Sequence, residues 1–236
     1  MNKLYLIPTP LGDNDPAEVL PEAVFKAIKG IDIYVVEEIR TARRFLSRAG
    51  LKGQIDALEF HELNEHTAPE EVEKLATLFE RGDVGLMTEA GLPAVADPGS
   101  RLVALCHRKG IQVVPLSGPS SLMMALMSSG LEGQRFSFLG YLPAKTDERR
   151  VAIRSAVKRS AEGNETEIFI ETPYRNDAML GDLATICPAG TRICCAADLT
   201  LPDAFIGTHG AGEWKKMIDN GFRLGKRPCV FLILAR

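Results

Sequence analysis

TEAGLPAVADPGS (residues 88–100) follows the apolar run VGLM (84–87) and precedes the helical pattern RLVALCHRKG (101–110). It holds two prolines, two glycines and two carboxylates. A plain strand-to-helix connection needs only about 2–6 residues. Pro93 and Pro98 fix φ and remove two N–H donors. Gly91 and Gly99 let the main chain come close to another group. A loop this long and stiff can present carbonyls and amides to a small molecule at little ordering cost.

Working outward, apolar runs alternate with helical patterns. LYLI (4–7), IDIYVV (31–36), VGLM and IQVVPL (111–116) read as strands, with a further strand near residues 54–60. PEAVFKAIKG, EEIRTARRFLSRAG and APEEVEKLATLFERG read as helices between them. Pro21 at a helix start, and Gly30, Gly50 and Gly82 at helix ends, are the expected punctuation. The alternation predicts a mainly parallel sheet covered on both faces. After residue 117 the pattern changes. RFSFLG, TEIFIET, TRICCAADLT and CVFLILAR are longer and more mixed, with helices expected near 119–129 and 146–161. The fold class is therefore α/β in two domains: residues 1–117 with a mainly parallel sheet, and residues 118–236 with a mixed sheet. Pro- and Gly-rich loops at 8–21, 89–99 and 115–120 all follow strands. In open α/β sheets, ligands sit beyond the carboxyl ends of strands.

Bulk properties narrow the function. The 236 residues are 45% hydrophobic and 25% charged, with net charge −3. That composition is globular and gives no global electrostatic case for nucleic acid. Five cysteines, none in a Cys-x-x-Cys pair, read as reduced thiols. No signal-peptide core and no long apolar run is seen, so a cytoplasmic protein without a membrane span is expected. HELNEH (61–66) spaces its histidines by five rather than four, so the rings diverge on a helix. The stretch reads as a polar loop, and no metal is expected. Gly-x-Gly-x-x-Gly, the P-loop and Gly-x-Ser-x-Gly are all absent from the sequence. Met123, Met124 and Met127 read as core filler.

Two basic stripes stand out. Arg40, Arg44 and Arg48 recur every fourth residue on one expected helix, with Arg43 beside them. Arg150, Arg154 and Lys158 do the same on another, joined by Lys145, Arg149 and Arg159. Such faces contact phosphates or are simply solvated.

The motifs, taken in order, carry a resemblance. LYLIPTPLGD (4–13) is similar to V-P-T-P-I-G-N. VEEIRTARRFL (36–46) is similar to A-E-D-T-R-x-T-x-x-L, and TEAGLPAVADPGS to S-D-A-G-T-P-x-x-S-D-P-G. PLSGPSS (115–121) matches P-x-P-G-P-S-A, FLGYLPAKTDERR (138–150) matches F-x-G-F-L-P-x-K-x-x-x-R, and IETPYR (170–175) matches Y-E-S-P-H-R. The chain resembles the tetrapyrrole methylase family, and looks most like its branch that methylates a ribose 2′-hydroxyl of small-subunit ribosomal RNA. It departs from that branch at Glu89, Leu92 and Ala96, and in Glu37-Glu38-Ile39-Arg40. A helical C-terminal extension common in that branch is not expected here.

The resemblance implies S-adenosylmethionine as cofactor, held in a cleft between the two domains, and a homodimer. It carries Pro8, Gly91, Leu92, Pro93, Val95, Ala96, Ser120 and Ser121 over as cofactor contacts. Ile170, Ala197 and Pro228 are looser carry-overs. Arg40, Arg44, Lys145, Arg150, Arg154 and Lys158 become RNA-binding candidates, with ribosomal RNA or the small subunit as partner. No motif assigns a catalytic base. Glu89, Glu37 and Glu38 are candidates by location, and Asp97 reads rather as a loop-structuring carboxylate. A tetrapyrrole or other small acceptor, and a cofactor-binding paralogue without turnover, stand as alternatives.

Overall fold

The computed structural model describes residues 2–235. The chain divides into two compact units, the first ending at Ser120 and the second beginning at Ser121.

The first unit builds one sheet from β1 (Lys3–Ile7), β2 (Ile33–Val36), β3 (Glu59–Glu62), β4 (Val84–Met87) and β5 (Gln112–Pro115). Their order is β3-β2-β4-β1-β5, and every pairing is parallel. The helices are α1 (Pro16–Val19), α2 (Glu22–Ile28), α3 (Ile39–Leu46), α4 (Pro69–Lys74) and α5 (Ser100–Lys109). Both sheet faces are covered. Leu4, Val35, Leu86, Leu102 and Leu105 lie in one apolar cluster, and Ile7, Val24, Tyr34, Phe45 and Leu46 in another. Central β2 and β4 are buried at every position, which is why they read as unbroken apolar runs. From β1 the chain steps outward to β2 and β3, then returns to β4 and leaves on the other side through β5. The switch point therefore lies between β1 and β4, where open α/β sheets bind ligands.

The second unit holds β6 (Phe136–Tyr141), β7 (Thr166–Glu171), β8 (Arg192–Ala197), β9 (Phe205–Gly210) and β10 (Cys229–Leu234), ordered β6-β7-β10-β8-β9. Only β6–β7 is parallel, so this sheet is mixed. Its helices are α6 (Ser121–Ser129), α7 (Thr146–Gly163), α8 (Asn176–Ile186) and α9 (Ala211–Asp219). Stacked Phe169 and Phe231 and fully buried Trp214 centre its core, and Trp214 Nε1 donates to the Ile193 carbonyl at 2.9 Å.

Several expectations need correction. His61 sits on β3, not in a loop, and its Nε2 lies 2.7 Å from Glu59 Oε1. Residues 55–57 form a 3-10 turn, so the third strand starts later than expected. The helix expected from APEEVEKLATLFERG is α-helical only to Lys74 and tightens to 3-10 from Leu75 to Glu80. Met127 is 83% exposed and Met123 42%, because α6 buries Ala125, Leu126 and Ser129 instead.

Candidate functional site

Three loops leave the carboxyl ends of β1, β4 and β5, and they are fastened to one another. Thr9 and Gly91 form an isolated antiparallel bridge: Thr9 N donates to Gly91 O at 2.9 Å, and Gly91 N to Thr9 O at 3.2 Å. The Thr9 hydroxyl reaches the Thr88 carbonyl at 3.4 Å. Gly91 has φ +82°, and a Cβ there would lie 3.1 Å from Leu11 Cδ2. Gly118 packs closest of all. A Cβ on it would lie 2.2 Å from Pro8 Cβ and 2.4 Å from Pro8 Cγ, so no larger residue fits unless the loops part.

The central loop is strained and held. Ala94 (φ 66°) and Ala96 (φ 61°) both occupy the left-handed region, which costs a residue with a Cβ about 1–3 kcal/mol and persists only where neighbours enforce it. Asp97 is the enforcer. Both of its carboxylate oxygens accept from Ala94 N at 2.9 Å, and Oδ1 also accepts from Gly99 N at 2.7 Å. Burial pushes its carboxyl above the usual range, against the pull of the Gly99 and Ala94 amides and the Thr88 hydroxyl, with Glu37 adding to the rise. Outside this clamp, Leu92 is half-buried while Val95 and Ala96 are exposed, leaving a neutral surface of main chain and small apolar groups. A cationic donor such as a sulfonium needs no anionic ligand if it is gripped along its length in this way, so the residues present fit that cofactor.

The carboxylates take different roles. Glu38 caps α3: it accepts from Arg40 N at 2.9 Å, Thr41 N at 2.6 Å and Thr41 Oγ1 at 2.8 Å. Those backbone donors hold its carboxyl below the usual range. Glu37 Oε2 accepts from the Thr88 hydroxyl at 2.9 Å, tying the end of β2 to the end of β4. Glu89 is exposed and has no hydrogen-bond or ion-pair partner among the described residues.

Beside these loops the first unit holds an open cavity of about 380 Å³, whose walls include Thr9, Asp13, Arg44, Arg48, Thr88 and Glu89. Arg48 donates to Asp13 at 2.6 Å and to the Asn14 carbonyl at 2.7 Å. Arg43 is paired with Asp56 away from the cavity walls. Neither Asp13 nor Thr88 carries a sequence signal of this role. Asp13 matches an Asn in the family pattern, and Thr88 a Ser.

In the second unit, Ile170, Ala197 and Pro228 come to one sheet edge. β7 and β8 both run antiparallel to β10, so their carboxyl ends meet its start, and Asp198 N donates to Pro228 O at 3.0 Å. Ile170 is half-buried and Pro228 exposed, whereas the Ala197 side chain is buried in the core and offers only main chain. Ser120 and Ser121, the last residue of one unit and the first of the other, are half-buried. No group of three or more His, Cys, Asp or Glu among the described residues is arranged to hold a metal ion. Among the described residues no helix is long and apolar enough to cross a membrane.

Comparison with known proteins adds three findings. The family model for tetrapyrrole (corrin/porphyrin) methylases matches residues 3–211. The chain is 34% identical over 223 residues to ribosomal RNA small subunit methyltransferase I of Escherichia coli O157:H7, covering 92% of this chain and 73% of that protein. Its Vibrio cholerae counterpart is 32% identical, over 84% of this chain and 65% of that one. Among solved structures, the fold resembles the methyltransferase CobJ (TM-score 0.65, 15% identity, 100% of this chain and 95% of that one). It also resembles uroporphyrin-III C-methyl transferase from Thermus thermophilus complexed with S-adenyl homocysteine (TM-score 0.58, 17% identity, 99% and 97%).

Proposed function

This chain belongs to the tetrapyrrole methylase family of methyltransferases, and we propose that it passes a methyl group from S-adenosylmethionine to a ribose 2′-hydroxyl of small-subunit ribosomal RNA. The observation that carries the donor assignment is the fastened trio of loops at the β1–β4 switch point. Pro8, Gly91, Leu92, Pro93, Val95, Ala96 and Ser120 belong to those loops. Ser121, Ile170, Ala197 and Pro228 are further donor contacts carried over from the family. Bound there, S-adenosylmethionine supplies an electrophilic methyl carbon on a positively charged sulfur, a good leaving group.

The protein's own work is then mostly positioning. The Thr9–Gly91 bridge and the Asp97 clamp fix the loop that meets the donor. Glu38 and Glu37 are committed to capping and fastening, which leaves Glu89 as the carboxylate free to take the hydroxyl proton as the ribose oxygen gains its methyl group. The acceptor assignment rests on the curated relatives, whose names specify small-subunit ribosomal RNA. The same reading carries a cytoplasmic homodimer, which sedimentation should show as a particle of twice the chain mass.

Incubation with labelled S-adenosylmethionine and small ribosomal subunits from a strain lacking this gene tests the proposal. Label in the small-subunit RNA, as a 2′-O-methylated nucleotide, is expected. Label in a porphyrinoid and none in RNA would replace the acceptor.

A further inference from the structure

The two basic stripes differ once their partners are counted. On α7, Lys145 pairs with Glu148 at 3.2 Å and Lys158 with Glu162 at 3.8 Å. Arg159 is held by Glu165 and Glu167. Arg149 is buried, and its Nε and Nη2 both donate to Asp182 Oδ2, at 2.9 and 2.6 Å. Arg150 takes the other oxygen of Asp182 at 3.1 Å. Only Arg154 of that stripe is without a partner among the described residues. The face that looks basic in the sequence is therefore largely neutralised by its neighbours.

On α3 the balance is reversed where it matters. Arg43 and Arg48 are paired, but the guanidinium groups of Arg40 and Arg44 make no hydrogen bond or ion pair among the described residues, Arg40 feeling only the charge of Glu38 beside it, and they lie one turn apart on one helix face. Arg44 also lines the cavity. Arg48 is paired with Asp13 and bonded to the Asn14 carbonyl, whereas Arg44 is the wall's cation without an ion-pair partner among the described residues. An unpaired guanidinium on a concave surface offers the fork of donors that matches a phosphate. Glu89 lines the same cavity and accepts only, so it repels phosphate and favours a hydroxyl. A cavity of about 380 Å³ is near the small end of ligand pockets, which run roughly 300–1,000 Å³. It suits one sugar and its phosphate, not a duplex, and RNA presents such a unit from single-stranded loops and ends.

We propose that this cavity receives the ribose-phosphate of one extruded nucleotide of single-stranded RNA, with Arg44 binding its phosphodiester and Arg40 the next phosphate outside. The α7 stripe is then scaffold. This inference rests on the reading of the chain as acting on RNA and names the residues that recognise it.

The test uses the full chain and a labelled single-stranded RNA of about ten nucleotides, within the usual site sizes, titrated by fluorescence anisotropy at several salt concentrations. Arg44→Gln should weaken binding about tenfold and reduce the slope of log affinity against log salt by about 0.7, the share of one single-strand phosphate contact. Arg154→Gln should leave that slope unchanged, and the matching duplex should bind more weakly than the single strand. An unchanged slope in Arg44→Gln, an equal loss in Arg154→Gln, or preference for the duplex would overturn the proposal. S-adenosylhomocysteine affinity, expected to be equal in wild type and Arg44→Gln, shows that the variant is folded. A protein that binds RNA through Arg44 but methylates none would end the RNA-methylation reading and leave this one standing.

Discussion

A Cβ on Gly118 would overlap Pro8 at 2.2 Å, so Gly118→Ala pushes apart two of the three loops of the proposed donor site. Overpacking of this kind costs about 1–3 kcal/mol, and a misplacement near 1 Å can cost about 100-fold at a positioned site. Gly118→Ala should therefore weaken S-adenosylhomocysteine binding by at least about tenfold in calorimetry while the protein remains folded by circular dichroism. Asp97 and Glu38 make opposite pH predictions. Asp97 is raised, so the folded state holds its proton more tightly than the unfolded chain does. Its contribution to stability falls as pH rises from the ordinary 3.8 through the raised value, and is constant above it. Asp97→Asn should flatten that fall in urea titrations across the acid range. Glu38 is lowered, so its cap stabilises above the ordinary carboxylate value and fades as pH drops through the folded value. Glu38→Ala should lower the melting temperature at neutral pH, and the gap to wild type should close on acidification.

At the scale of elements, α7 is fixed by a buried ion pair as well as by apolar contacts. The Arg149 and Asp182 side chains are only 5% and 9% exposed. Removing one partner strands the other charge, so Asp182→Ala should cost about 3–5 kcal/mol in urea denaturation. Arg150→Ala loses a half-exposed contact to the same carboxylate, which keeps Arg149, and should cost less than Asp182→Ala, about 1 kcal/mol. Replacing Arg149 and Asp182 together by Met and Leu should be near neutral. This element also shows where the sequence was legible and where it was not. The length of α7 was readable from its pattern, but the partners of its arginines were not, because Asp182, Glu165 and Glu167 arrive from other elements. The centre of the first sheet was legible because β2 and β4 are buried at every position and so form apolar runs, whereas the partly exposed β3 was placed too early. FIGTHG (205–210), which became β9, was missed because an edge strand with Gly, Thr and His has no apolar alternation. The methionines of α6 misled for a related reason: helical spacing shows that residues share a face, not which face is buried.

Across the whole molecule, net charge of −3 coexists with an unpaired Arg40–Arg44 face, so local charge and not the total governs the expected encounter with RNA. The candidate site was legible in outline because prolines and glycines after β1, β4 and β5 announce stiff loops before any fold is known. Its detail was not. The Thr9–Gly91 bridge, the Glu37–Thr88 bond and the Arg48–Asp13 pair in the cavity wall are all contacts between residues 35 or more apart. The central claim is that these fastened loops, with the uncharged stretch 91–96 between their carboxylates, grip a sulfonium donor. The most direct test is calorimetric titration of S-adenosylhomocysteine into the wild-type chain and into Gly118→Ala. The account predicts saturable binding by the wild type and at least about tenfold weaker binding by the variant. Absence of heat with the wild type, or equal affinity in the two, would contradict it.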